Sequence, residues 1–265
     1  MSSAAPKSRA ASTLAPPGNA DFNWDNFDSV WYSAHNYEHL RDDDRQILEK
    51  VGDFFATMDA GKSRHGLDVG SGANLYPSLA MLPLCYRITL WERATSNVRW
   101  LREQVDSYAP SWDPFWQALK EDQPLYDKIT RPRRALESRA DVHQGSIFAL
   151  PKSTWDIGTM FFVAESITSL PEEFQRATQS FVRSLRPGAP FAAAFMKRSQ
   201  GYIVGAQRFP AVAIDEGDVT DTLRYVSRDL RLHTIDSTNL RDGYEGMILA
   251  TGLADNNSRG SSRRR

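Results

Sequence analysis

Asp68-Val69-Gly70-Ser71-Gly72 and, further on, Glu92 are the residues whose types and spacing point to ligand chemistry. Two glycines in a turn let the backbone bend tightly and approach a ligand, because no Cβ stands between them. An acid stands two residues ahead of the turn, and Leu75, Leu79 and Leu82 follow at helical spacing. The pattern predicts strand, turn and helix, with unpaired N–H groups at the helix start. Asn74 occupies the place of the third glycine of a dinucleotide fingerprint, and no Lys-Ser or Lys-Thr follows to make a phosphate loop. A nucleoside ligand without a pyrophosphate fits such a turn, and S-adenosyl-L-methionine answers that description. Glu92 ends a second short apolar run about 20 residues beyond the turn. There a nucleotide-binding α/β unit places the acid that holds the ribose hydroxyls.

The elements that must position these residues follow from periodicity. Residues 1–20, with Pro16-Pro17-Gly18, are rich in Ser, Ala and Pro and are expected to be a disordered tail. One domain is expected over 21–254, opened by an aromatic lid segment (21–61) holding Phe22, Trp24, Phe27, Trp31, Tyr32 and Tyr37. Asp42-Asp43-Asp44 caps an amphipathic helix through Ile47, Leu48, Val51 and Phe55. Val98, Leu101 and Val105 mark the helix after Glu92, and 109–138 breaks the rhythm as an insertion. Asp141-Val142-His143 is expected to end the third strand, and 155–162 and 189–196 are the fourth and fifth. Residues 230–236 and 245–251 suggest a closing hairpin, and the tail from 255 is expected to be disordered. Alternating strands and helices predict an α/β fold with a doubly wound, seven-stranded, Rossmann-like sheet. Its ligands belong beyond the carboxyl ends of the strands, at Gly70–Gly72, Glu92 and Phe162–Glu165.

Composition narrows the partners. The net charge of −1 over 265 residues offers no general attraction to nucleic acid or an anionic membrane. One cysteine, Cys85, allows no intrachain disulfide and fits a reducing compartment, so a cytoplasmic protein is expected. No apolar run approaches 18 residues. His35 and His39 stand four apart, but no third metal ligand is apparent, and no metal is expected. The Gly-x-Ser-x-Gly elbow of serine hydrolases is absent. So is the Asn/Asp-Pro-Pro-aromatic motif of nucleic-acid base methylation.

With these pieces in place, the stretch from Phe27 to Gly252 resembles the family of nicotinamide N-methyltransferase and phenylethanolamine N-methyltransferase. The resemblance implies a class I methyltransferase using S-adenosyl-L-methionine and releasing S-adenosyl-L-homocysteine. It puts Tyr32, Tyr37, Tyr76 and Asn97 against the cofactor together with Asp68, Gly70, Ser71, Gly72, Glu92 and Phe162. It gives Asp141-Val142 to the adenine, and Glu165 to an acidic position near the acceptor. Lys197 to Phe209, with Tyr202, matches the family's stretch after the fifth strand. Two departures stand out. Phe195 replaces an acid carried by the amide-methylating members, and Ala211 falls on their serine.

These departures bear on the acceptor. Their loss removes polar partners, whereas Trp31, Tyr32, Tyr76 and Tyr202 offer stacking faces. A small aromatic nitrogen heterocycle is expected, foremost a tryptophan-derived indole methylated at C3. In a cyclodipeptide the iminium so formed is trapped by the amide nitrogen as a pyrroloindoline. Glu165 is the expected acceptor for the ring N–H and the base, with His35 in reserve. The alternative is N-methylation of an amine or pyridine-type molecule, with Glu165 holding the ammonium. From another class comes a cofactor-binding module without catalysis. The oligomeric state has no signal in the sequence.

Overall fold

The structure is a computed structural model and describes residues 16–121, 123–235 and 243–255. Two helices open the chain, α1 (Ser29–Tyr37) and α2 (Asp42–Ala56). The alternating body follows: β1 (Arg64–Val69), α3 (Tyr76–Met81), β2 (Cys85–Glu92), α4 (Thr95–Asp106), α5 (Asp113–Lys120), α6 (Pro132–Arg139), β3 (Ala140–Gln144), β4 (Ile157–Phe161), α7 (Pro171–Ser184) and β5 (Pro190–Met196). A small ribbon, β6 (Tyr202–Val204) and β7 (Gln207–Phe209), precedes α8 (Glu216–Leu223), β8 (Ser227–Ile235) and β9 (Met247–Ala254).

Seven strands form one sheet in the order β3-β2-β1-β4-β5-β9-β8. The first five run parallel, and β9 lies antiparallel to both β5 and β8. This is the doubly wound, Rossmann-like architecture expected from the alternation, with the last two strands paired antiparallel. The strand order reverses between β1 and β4, so a crevice opens beyond their carboxyl ends. Side chains of β5 alternate between two cores. Ala192, Ala194 and Met196 face the core that holds α2, α3 and α5, whereas Phe191, Ala193 and Phe195 face the one built on α7 and α8.

Two expectations change. From Pro17 on, the supposed tail is already packed: Ser169 N donates to the Pro17 carbonyl at 3.2 Å, and Asn19–Asp21 forms a 3-10 turn. Residues 1–15 and 256–265 lie outside the described residues. The expected insertion holds α5 and α6, and its Trp112, Phe115 and Tyr126 are fully buried in the main core. Phe115 stacks on Tyr76 at 5.6 Å, so this segment props up the helix after the glycine turn. Among the described residues no helix is long and apolar enough to cross a membrane.

Candidate active site

Two adjoining cavities occupy the crevice. The inner cleft is built on the ends of β1, β2 and β4. Gly70 and Gly72 adopt φ of +63° and +54°, a left-handed conformation natural to glycine. A Cβ on Gly70 would fall 2.5 Å from Val163 Cγ1, so the turns after β1 and β4 meet only because that side chain is missing. Glu92 closes the arrangement: its Oε2 accepts from Gly72 N at 2.9 Å and its Oε1 from Ala94 N at 2.7 Å. Burial pushes its carboxyl above the usual range, against the pull of those N–H groups. A carboxylate has about four acceptor positions, so lone pairs remain for a diol.

Asp68 does a different job from the one expected. It is buried beneath the turn, outside the cleft lining, and takes Thr159 Oγ1 at 2.8 Å and Ser78 Oγ at 3.0 Å. Burial raises its carboxyl to about 7. It braces the glycine turn against β4 and α3 and does not line the cleft.

Gly70, Ser71, Gly72, Glu92, Asn97, Tyr32, Tyr37 and Phe162 all line the inner cleft, as expected. Tyr76 does not: its ring is buried and its hydroxyl donates to Asp44 Oδ1 at 3.0 Å. Asp141 and Val142 do not either. They pair in register with Thr89 and Leu90, and Asp141 is half exposed, bound to Arg87 at 2.7 Å. β3 runs on to Gln144, so the residues that reach the cleft are Gly145, Ser146 and Ile147. Gly145 N donates to the Glu92 carbonyl at 2.8 Å, which holds this loop beside the Glu92 carboxylate.

The strap before α1 begins earlier than the expected lid segment, and sequence reasoning missed Asn19 as part of it. Asn19 and Trp24 line the cleft, and Asn19 is held on several sides. Its N donates to Glu173 Oε2 at 2.7 Å and its Nδ2 to the Ile167 carbonyl at 3.0 Å, while Arg93 donates to its side-chain oxygen. Thr95 N donates to Asp25 Oδ1 at 2.7 Å, and Ser29 Oγ to Asn97 Oδ1 at 2.7 Å. The prolines and small residues around 16–21 gave no apolar period to signal this packing.

The outer cavity, of about 610 Å³, shares Tyr32, Phe162, Ser166 and Tyr202 with the inner cleft. Its other walls include Trp31, His35, Met196, Gln200, Arg208 and Tyr244. Phe162 has φ +60° and is pinned by its N–H to the Ala194 carbonyl at 2.7 Å. A left-handed backbone at a bulky residue costs on the order of 1–3 kcal/mol and persists where its surroundings over-determine it. Here it sets an aromatic ring between the two cavities.

Three expected acceptor contacts are displaced. Phe195 lies in the other core, 5.8 Å from Phe174, because strand alternation turns it away and puts Met196 on the cavity side. Ala211 lines neither cavity. Glu165 is fully buried behind the wall. Its Oε1 accepts from Met196 N at 2.9 Å and Ser166 Oγ at 3.2 Å, and its Oε2 has no partner among the described residues. Burial raises its carboxyl to about 7. Tyr202, Trp31 and Tyr32 stand in the outer cavity as expected, and His35 stacks on Trp31 at 4.6 Å. No metal-binding cluster is found among the described residues.

The inner cleft suits an adenosyl group. It offers a glycine cradle, an acid with spare lone pairs, the aromatic faces of Tyr32 and Tyr37, and the Asn74 Nδ2, which is buried without a partner among the described residues.

The model of the NNMT/PNMT/TEMT family matches residues 19–251. Phenylethanolamine N-methyltransferase of Macaca mulatta is 28% identical over 203 residues, covering 70% of this chain and 71% of its own. The Sus scrofa enzyme of the same name is 26% identical over 217 residues, covering 75% and 74%. Among solved structures, the 1,6-didemethyltoxoflavin-N1-methyltransferase of Burkholderia thailandensis superposes with a TM-score of 0.50 at 13% identity, covering 86% of this chain and 84% of its own. At that identity the likeness is one of fold.

Proposed function

The chain belongs to the NNMT/PNMT/TEMT family and is an S-adenosyl-L-methionine-dependent methyltransferase, and we propose that it methylates a neutral small aromatic nitrogen heterocycle, foremost a tryptophan-derived indole at C3. The observation that carries this reading is the outer cavity, where aromatic rings are plentiful and no carboxylate is found among the described lining residues. A protonated amine entering it meets no counter-charge from the described lining residues and loses its hydration, at a cost that pairing would otherwise offset. A flat neutral ring meets Trp31, Tyr32, Phe162 and Tyr202.

The cofactor supplies a methyl group already activated on a sulfonium. Tyr32 and Phe162 then orient the ring and exclude water, and proximity does most of the remaining work. At C3 a carbon–carbon bond forms, the sulfur–methyl bond breaks with its electron pair kept on sulfur, and the indole becomes an iminium. In a cyclodipeptide the amide nitrogen closes onto C2 and gives up its proton. His35 lines the cavity and is the candidate base for that proton. Glu165, behind the wall, holds the Met196 and Ser166 side of the cavity in place.

The test is a panel of tryptophan cyclodipeptides, simple indoles, pyridines and primary amines, incubated with the cofactor and resolved by mass spectrometry and NMR. Methyl on C3 is expected. Methyl found only on nitrogen overturns the carbon assignment in favour of the second reading, N-methylation, which the named relatives favour.

A further inference from the structure

The outer cavity is polarised. Tyr32, Phe162 and Tyr202 line both cavities, so aromatic faces mark the side where the methyl group is delivered. Gln200, Gly201 and Arg208 line the outer cavity alone and form its polar side, where Arg208 is exposed. Among the described lining residues Arg208 carries the one permanent charge, and its guanidinium makes no ion pair with a described residue.

Its placement is built into the backbone. Arg208 stands on β7, and its Nη2 donates to the Gln200 carbonyl at 3.3 Å. Gly201, with φ +113°, lies directly beneath it. A Cβ there would fall 3.4 Å from Nη2, 3.6 Å from Nε and 3.0 Å from the Phe209 carbonyl. The positive φ and the close Phe209 carbonyl call for glycine here, and the guanidinium lies against the Gln200–Gly201 backbone. A guanidinium has five N–H donors in a planar fork, so several remain for an oxygen on a ligand.

We propose that Arg208 is a specificity-determining residue that binds a carbonyl or carboxylate oxygen on the acceptor's substituent, so that the acceptor is an aromatic ring joined to an amide or acid group. This deepens the aromatic-acceptor reading and rests on it. A ring seated between Tyr32 and Tyr202 directs its substituent towards the Arg208 side. There a guanidinium attracts electron-rich oxygen and repels ammonium, which adds to the selection against amines made by the absence of acids. A bare ring occupies only part of a cavity of about 610 Å³, whereas a ring with a carbonyl-bearing side group reaches both sides.

Calorimetry on the full chain saturated with S-adenosylhomocysteine tests this with matched ligands: indole, N-acetyltryptophanamide and indole-3-acetate. The amide and the acid separate the two oxygen sources. The parent is expected to bind at least one of them about tenfold or more tightly than indole. In Arg208→Ala that ratio is expected to fall to about threefold or less. Arg208→Lys should keep more of the preference for the acid than for the amide, because it retains the charge but not the fork. An unchanged ratio in Arg208→Ala overturns the proposal, as does a parent with no preference. Should Arg208→Ala melt early, Arg208→Gln gives the same comparison. The same pairs built on benzene and pyridine distinguish the two readings. Oxygen selectivity kept on those rings with no indole binding sinks the indole reading alone. No binding by any ring sinks both.

Discussion

The Nη1 of Arg93, the residue after the ribose acid, donates to both the backbone carbonyl and the side-chain oxygen of Asn19, 74 positions earlier. The strap across the inner cleft is thus fastened to the same strand end that holds Glu92. Asn19 is fastened on its other side to Glu173 on α7. Arg93→Ala is expected to free this side of the strap and weaken cofactor binding about tenfold, or ~1.4 kcal/mol. Titration calorimetry with S-adenosylhomocysteine checks it, and an unchanged dissociation constant would show that the strap contributes nothing to retention.

Glu92 both orders the turn and faces the cleft. Glu92→Ala leaves the N–H groups of Gly72 and Ala94 without their acceptor, at roughly 1–3 kcal/mol for each group left unmade. Cofactor affinity is expected to fall at least 100-fold, and Glu92→Gln, which keeps an acceptor, should lie between. Parent-like binding by Glu92→Ala would remove the ribose assignment.

Stability should depend on two buried carboxyls. Glu165 and Asp68 rise from ordinary values of 4.5 and 3.8 to about 7, chiefly because burial disfavours the charged form. Between pH 4 and 7 the folded chain therefore binds more protons than the unfolded one. Stability from these groups is fully present below that window and falls as pH rises through it. Glu165→Gln cannot ionise and keeps an oxygen for Met196 N. Relative to the parent it should gain about 3 kcal/mol between pH 4 and pH 8. Denaturant melts at the two pH values measure the difference, and parallel behaviour of the two proteins would place the Glu165 carboxyl in its ordinary range.

Gly145→Ala tests the loop that replaces the expected adenine pair. A Cβ there would lie 2.4 Å from Trp91 Cζ2 and 2.6 Å from Cε2, against a ring also held by His143 at 4.2 Å. The loop must move, and Ser146 with it. We expect at least a tenfold loss of cofactor affinity, whereas Asp141→Ala, on the exposed part of β3, should change it less than twofold. A large loss from Asp141→Ala would reinstate the sequence-based assignment.

The central strands of the sheet were legible in the chain because β1, β4 and β5 are short apolar runs bounded by turns. Gly70–Gly72 and Glu92 were legible from residue type and spacing, and Asn97, Tyr32 and Tyr37 through the family resemblance; all of them line the inner cleft. Asp141-Val142 misled because β3 is the edge strand and half exposed, so it has no apolar run to mark its end. The signal was the Gly145-Ser146-Ile147 that follows. Spacing carried Phe195 to the end of β5, yet one position decides which face a strand residue takes, and Met196 holds the cavity side. Tyr76 and Glu165 have the side chains of contact residues, but burial behind the walls is a tertiary fact that sequence distance does not encode.

The strap has a consequence for how the molecule is made. Asn19 leaves the ribosome long before Glu173, which stands 154 positions later. Synthesis runs from the N-terminus, so this first segment must wait, unseated, until β4 and the start of α7 have emerged. A nascent chain can shape the glycine turn and the ribose acid early, but it cannot enclose a nucleoside between them. Ligand retention therefore begins only when most of the protein exists, and tight cofactor binding reports a finished chain.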